Sequence, residues 1–391
     1  MAIGNPFQSI NTSINAWFTQ PEANAAGNMG LFRILYALFY LWHLSVHSSD
    51  FLSGMPGFYV EYQVYLVKYL FSDFGASLPP LFFYTLDSLL VAALVLLAFG
   101  YKTRMATIAV LIIGSLIEAL SASVDGKRTL LPMVFYIPFF MSIINAWGQT
   151  YALDATIRKR KSGFQVDPHD ASWQYALPAR ALLVVFSFLF FVSAVYKVAF
   201  GGAWLSHADM MAYFFLNRNV EAAVYNLPLN WLAPYIAQTP LIYLSIHITT
   251  LLFEGLFFLS VISRKVRDFF VSLALIFHAV NALWVVVTVT PLLIGYGPFI
   301  NWQAIKDFFV PQRELPVAEG RSPRLLIFLA LFSATVLGLL WHSDLGIRTW
   351  LNLNGLINWR TIWYPILPIS IWWFVVTIVR FRQPVSTRSL S

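Results

Sequence analysis

Along the chain, apolar runs of spanning length recur at about 29–49, 80–100, 105–122, 130–147, 179–200, 239–262, 267–292, 324–341 and 361–380. A helix needs about 20 apolar residues to cross a hydrocarbon core of about 30 Å. The pattern therefore predicts an all-α fold, a polytopic transmembrane helical bundle of about nine spans. The stretch PLLIGYGPFINW after Pro291 either extends the seventh run or folds back as a re-entrant piece, so the range is eight to ten. Before the first run, Phe7, Ile10, Ile14, Trp17 and Phe18 share one helical face, which predicts a short helix lying in the interface. Residues 1–28 lack the basic start and short apolar core of a signal peptide.

Composition agrees with that reading. Of 391 residues 59% are hydrophobic and 11% charged, whereas roughly a quarter of a soluble domain is charged. With no cysteine, disulfides, thiolate metal sites and cysteine nucleophiles are excluded by inventory. The net charge of +7 sits in short clusters between apolar runs, the distribution of a topology signal rather than of nucleic-acid binding. Lys102 and Arg104, then Arg158 to Lys161, then Arg264, Lys265 and Arg267 follow the second, fourth and sixth runs. That side is expected to be cytoplasmic, together with the amino terminus, giving a multi-pass protein of the cell membrane. An odd number of spans then sends Arg380, Arg382 and Arg388 to the opposite side, against the same rule.

Polar groups inside the runs are the candidates for chemistry, because a charge at the centre of a span costs about 2.5–3.5 kcal/mol on insertion scales. In the first run Arg33, Tyr36, Tyr40, His43 and His47 recur at spacings of three and four, so they share a face. Such a stripe either hydrogen-bonds to neighbouring helices or, through His43 and His47, holds a metal or haem; no third ligand completes a metal pattern. The sixth run carries His247, Thr250 and Glu254 on one stripe, and FHAVN in the seventh places His278 and Asn281 together. Glu254 and His278 fall at similar depths on either side of the RKVR turn and are expected partners, whether for chemistry or for helix registry. Lys197, near the predicted outer end of the fifth run, either snorkels to water or sits in an apolar pocket, where an amine loses its charge more readily and becomes a competent base. Gly201 and Gly202 followed by Trp204 would let a flat ring approach the backbone. Asp87 and Glu118 belong to no motif. No HExxH, P-loop, GxGxxG or GxSxG pattern occurs.

Taken in order, LFRILYALFYLWH, SVDGKRTLL, INAWGQTYALDA, YKVAFGGAWLSH, HITTLLFEGLFF and FHAVNALW resemble the HTTM domain, the membrane domain of vitamin K-dependent gamma-carboxylase and its bacterial relatives. The resemblance covers roughly residues 10–310 and implies an N-terminal interfacial segment over 1–28, an HTTM-like domain over 29–310, and two further helices with a tail over 311–391. It implies a lysine base that starts oxidation of a lipid quinol, of menaquinol or vitamin K hydroquinone type, with Lys197 in that position on the outer half of the membrane. Glu254 and His278 then join it, and Asn281, His247, Trp204 and Arg33 line the cofactor. The sequence departs from the carboxylase where that enzyme has a histidine entering its fourth span, since Asp125, Lys127 and Arg128 stand there and no histidine occurs from 48 to 168. The carboxylase's large luminal domain has no counterpart.

Three functions follow as expectations. One is a membrane enzyme in which Lys197 takes a proton from an apolar substrate. Another is a non-enzymatic factor for maturation or export of a secreted peptide, similar to the sporulation-delaying protein B family. The third is a small-solute or proton transporter, although no inverted internal repeat is found. On the first, Lys197→Ala should abolish activity with stability nearly intact.

Overall fold

The computed structural model describes residues 6–46, 52, 78–125, 131–199, 209–224, 229–285, 290–310, 323–341 and 361–382. Among them are fifteen α-helices: α1 (Pro6–Phe18), α2 (Ala25–Val46), α3 (Pro80–Phe99), α4 (Thr103–Asp125), α5 (Ile137–Ile144), α6 (Leu153–Ser162), α7 (Trp173–Ala199), α8 (Met210–Val224), α9 (Ala233–Gln238), α10 (Pro240–Leu256), α11 (Arg264–Val280), α12 (Thr290–Gly295), α13 (Trp302–Phe309), α14 (Pro323–Leu340) and α15 (Trp363–Arg382). Seven segments are long and apolar enough to cross a membrane: Ala25–Val46, Pro80–Phe99, Thr103–Ala122, Trp173–Ala199, Pro240–Val261, Arg264–Leu283 and Trp363–Phe381. The expected fourth and eighth spans appear as shorter apolar helices, Pro132–Ile144 and Arg324–Leu340. The chain sorts into two compact units, Met1–Ala181 with Ile294–Leu356, and Leu182–Leu293 with Ile357–Ser391.

The fourth apolar run is shortened by its own sequence. Asn145 takes a left-handed conformation (φ 49°, ψ 38°) and closes α5 by donating its N–H to Met141 O, a role for which asparagine's short polar side chain is suited. At the other end Pro138 has no N–H to give, and residues Pro132–Tyr136 widen into a π-turn with Ile137 N reaching back to Pro132 O. Five residues before Pro138, the Met133 carbonyl loses the donor a π-turn would supply. The Tyr36 hydroxyl of α2 donates to it at 2.7 Å.

The first unit is organised around α2. Arg33 is fully buried, and its guanidinium donates to the carbonyls of Trp147 at 2.8 Å, Tyr151 at 2.5 Å, Thr150 at 3.3 Å and Ala98 at 3.5 Å. The planar fork thereby ties the end of α3 to the turn between α5 and α6. Asp154, at the start of α6, accepts from Lys102 N, Thr103 N and Thr103 Oγ1 and fixes the turn into α4. Gly30 is required by close approach, because a Cβ there would stand 2.2 Å from Thr150 Oγ1. A Cβ on Gly338 of α14 would likewise stand 2.9 Å from the Ser88 carbonyl of α3.

In the second unit α11 and α15 run antiparallel. Lys265 Nζ donates to Arg380 O at 3.3 Å, Phe269 packs on Phe374, and at the other end Trp363 is buried against Ala279, Ala282 and Leu283. The C-terminal end of α15 therefore lies with the RKVR turn. Arg380 lies with Lys265 at one end of this unit; Arg388 lies outside the described residues. Helices α8 and α9 form a hairpin tied by Asn219, whose side chain exchanges two hydrogen bonds with the Asn230 backbone.

Candidate functional site

Helix α10 is built with its polar residues inward. His247, Thr250 and Glu254 are buried, while Ile248 and Leu252 are more than half exposed. Residues three, four and seven apart share a face, so this stripe turns to protein while the apolar face meets lipid. Thr250 satisfies its hydroxyl on Ile246 O at 2.8 Å.

Helices α7 and α10 meet antiparallel through side chains. Ser187 bonds Ser260 at 3.0 Å, Phe190 packs on Phe253 and Phe257, and Ser193 donates to Glu254 Oε2 at 3.1 Å. One turn beyond Ser193, Lys197 Nζ donates to both carboxylate oxygens of Glu254 at 2.5 Å. The two side chains are 18% and 8% exposed. Glu254 lies seven residues before Val261, the end of the apolar segment Pro240–Val261, and so inside it rather than at its edge. Lys197, read from the sequence as lying at the end of its span, is held back at this level instead of extending to water.

The partner of Glu254 is thus Lys197 and not His278, which corrects the expectation drawn from adjacent spans. A cation on a flexible four-carbon stem outcompetes a ring fixed on the next helix, and charge-assisted hydrogen bonds are roughly twice as strong as neutral ones. His278 is buried among aromatic rings, with Phe277 at 5.4 Å and Phe190 at 6.0 Å between centroids. Asn281 is half-buried, gives its N–H to His278 O and Phe277 O, and opens a π-turn over Asn281–Val285. His247 lies seven residues from Glu254, roughly 10 Å along α10. Arg33 belongs to the first unit, with its guanidinium committed to backbone carbonyls as described. Trp204, Gly201, Gly202 and His47 lie outside the described residues. Among the described residues no group of three or more His, Cys, Asp or Glu side chains is placed to hold a metal.

Ser193 was not singled out by the sequence. Its signal was present: it precedes Lys197 by four residues, and so shares that lysine's face of α7. The constellation that results, a serine hydroxyl and an ammonium converging on one buried carboxylate, can move a proton between lysine and glutamate without creating net charge. The chain is a multi-pass, all-α integral membrane protein, and no family model, curated protein or solved structure matches it.

Proposed function

We propose that this protein is a membrane enzyme of carboxylase-like type, in which the Lys197–Glu254 pair takes a proton from a lipid quinol or a similarly flat, apolar, weakly acidic substrate. The observation that carries the reading is the ion pair itself, 2.5 Å between Nζ and both carboxylate oxygens on facing apolar helices. An isolated neutral amine inside hydrocarbon would create a new cation and a new anion on taking the quinol proton, at a cost of several kcal/mol. A pair avoids this. Lys197 first hands its proton to Glu254, leaving a neutral amine and a neutral acid. The quinol O–H then gives its proton to the amine, and the quinolate takes the place of the carboxylate beside the ammonium. One cation and one anion are present before and after, so the step generates no net charge in the low-dielectric region. Ser193 holds Oε2 of Glu254 while the exchange occurs. The order of motifs that resembles the HTTM domain supports the same substrate class.

The test is anaerobic binding of menaquinol to the protein in lipid nanodiscs, with quinolate followed by its ultraviolet difference spectrum. The native protein should produce bound quinolate at a pH where the free quinol stays neutral. Glu254→Gln, which removes the acceptor for the lysine proton, should bind the quinol without ionising it. Undiminished quinolate in the Lys197→Met/Glu254→Gln double variant would remove the proposal.

A further inference from the structure

One face of the first unit carries chemistry that the quinol reading does not use. Helix α6 ends in Arg158, Lys159, Arg160 and Lys161, and Lys159 and Lys161 are exposed. Lys102 and Arg104, at the turn into α4, are exposed beside it, since Asp154 of α6 binds the backbone of Lys102 and Thr103. Helix α13 lies against the same region: Tyr151 donates to Gln303 at 2.7 Å, and Lys306 Nζ stands 5.5 Å from the Tyr151 ring. The loop after α6 closes the group, with His169 bonding Asn24 at 2.9 Å and approaching Asp307 at 3.9 Å.

The carboxylates of this face are turned to local tasks. Asp154 accepts two backbone N–H groups, Asp167 accepts from His169 N, Asp170 from Ser172, and Asp307 from Gln303 and Lys306. The lysines at 102, 159 and 161 and Arg104 point their charge outward instead. Exposed apolar side chains follow both basic segments in sequence, after Lys161 and after Lys306. Helix α13 buries Gln303 but leaves Phe308 80% and Phe309 75% exposed, followed by Val310, and Phe164 after α6 is 60% exposed. Rings at this level next to basic side chains match the boundary between acyl chains and headgroups, where aromatic and cationic residues collect. Charge complementarity then selects the headgroup.

We infer that α6 and α13 form a binding surface for anionic phospholipid headgroups of the surrounding bilayer, with Lys159, Arg160 and Lys161 contacting phosphate and Phe308 and Phe309 inserted among the acyl chains. A Lys or Arg near an anionic surface contributes about a factor of five in affinity, so removal of three should weaken binding on the order of 100-fold. The rings act on any lipid and confer no headgroup preference.

The full chain in dodecyl maltoside, titrated with dioleoyl phosphatidylglycerol or dioleoyl phosphatidylcholine and read by native mass spectrometry, tests this. The native protein should retain phosphatidylglycerol at least tenfold more tightly, with the preference falling as salt rises. The Lys159→Gln/Arg160→Gln/Lys161→Gln variant should lose the preference and keep its phosphatidylcholine binding. Lys159→Arg/Lys161→Arg, which keeps the charge, should retain it and controls for misfolding. Phe308→Ser/Phe309→Ser should weaken both lipids alike. Equal retention of the two lipids by the native protein, or an unchanged preference in the triple glutamine variant, overturns the inference. So does salt-dependent capture of poly-glutamate without a phosphatidylglycerol preference, which would assign the surface to an acidic protein.

Discussion

Lys197 and Glu254 show how a single contact alters what a substitution means. From the sequence, Lys197→Ala should leave stability nearly intact, but the lysine is the cation beside a carboxylate that is 8% exposed. Its removal strands that charge, and Lys197→Met should destabilise the protein by about 3 kcal/mol in reversible denaturant unfolding. The double variant with Glu254→Gln should recover most of the loss, giving a coupling of at least about 1.5 kcal/mol in a double-mutant cycle. Tyr36 invites the same treatment. Tyr36→Phe leaves the Met133 carbonyl without a donor, and about 1–2 kcal/mol should be lost in the same assay. The stripe that contains Arg33 and Tyr36 was visible at helical spacing. Its acceptors were not, because they are backbone carbonyls that Pro138 and the Asn145 turn expose far away in sequence. The two-fold choice left open for that stripe is decided for these two residues in favour of hydrogen bonding between segments.

At the scale of the helix, the sequence located the long spans, since twenty apolar positions in a row have few alternatives, though the seventh, expected over 267–292, is Arg264–Leu283. It located the ends less well. The fourth run reads as a largely apolar stretch of eighteen residues from 130 to 147, yet a proline inside it and a left-handed asparagine near its end leave the helix Pro132–Ile144 among the described residues. Pairing was the least legible property. Glu254 was matched to the next helix in the chain because short loops make neighbours, while α7 reaches it from 57 positions away. Helix pairing also carries a topological consequence, because the Lys265–Arg380 contact sets both ends together. Cysteines substituted at Arg264 and Arg382 should be labelled by a membrane-impermeant maleimide from the same side of sealed, oriented vesicles. Labelling from opposite sides would contradict the antiparallel pairing of α11 and α15. Gly338→Leu should cost about 1–3 kcal/mol by forcing α14 off α3, whose Ser88 carbonyl leaves no room for a larger side chain.

For the molecule as a whole, composition alone was decisive about the solvent, and the seven candidate spans agree with it. The division of the chain was not legible. Its two units each join stretches that are separated in sequence, and a boundary drawn along the sequence has no access to that. One feature of the first unit bears on the bilayer in a different way. The described part of the fourth run, Pro132–Ile144, closes at Asn145 after 13 residues, about 20 Å of helix against an acyl layer of about 30 Å. Lipids beside it must compress or tilt to cover the gap, at fractions of a kcal/mol per ångström. The protein should accordingly melt at a higher temperature in bilayers of fourteen-carbon chains than in those of twenty-two, and in the thicker bilayer it should gather thin-tailed lipids around that helix.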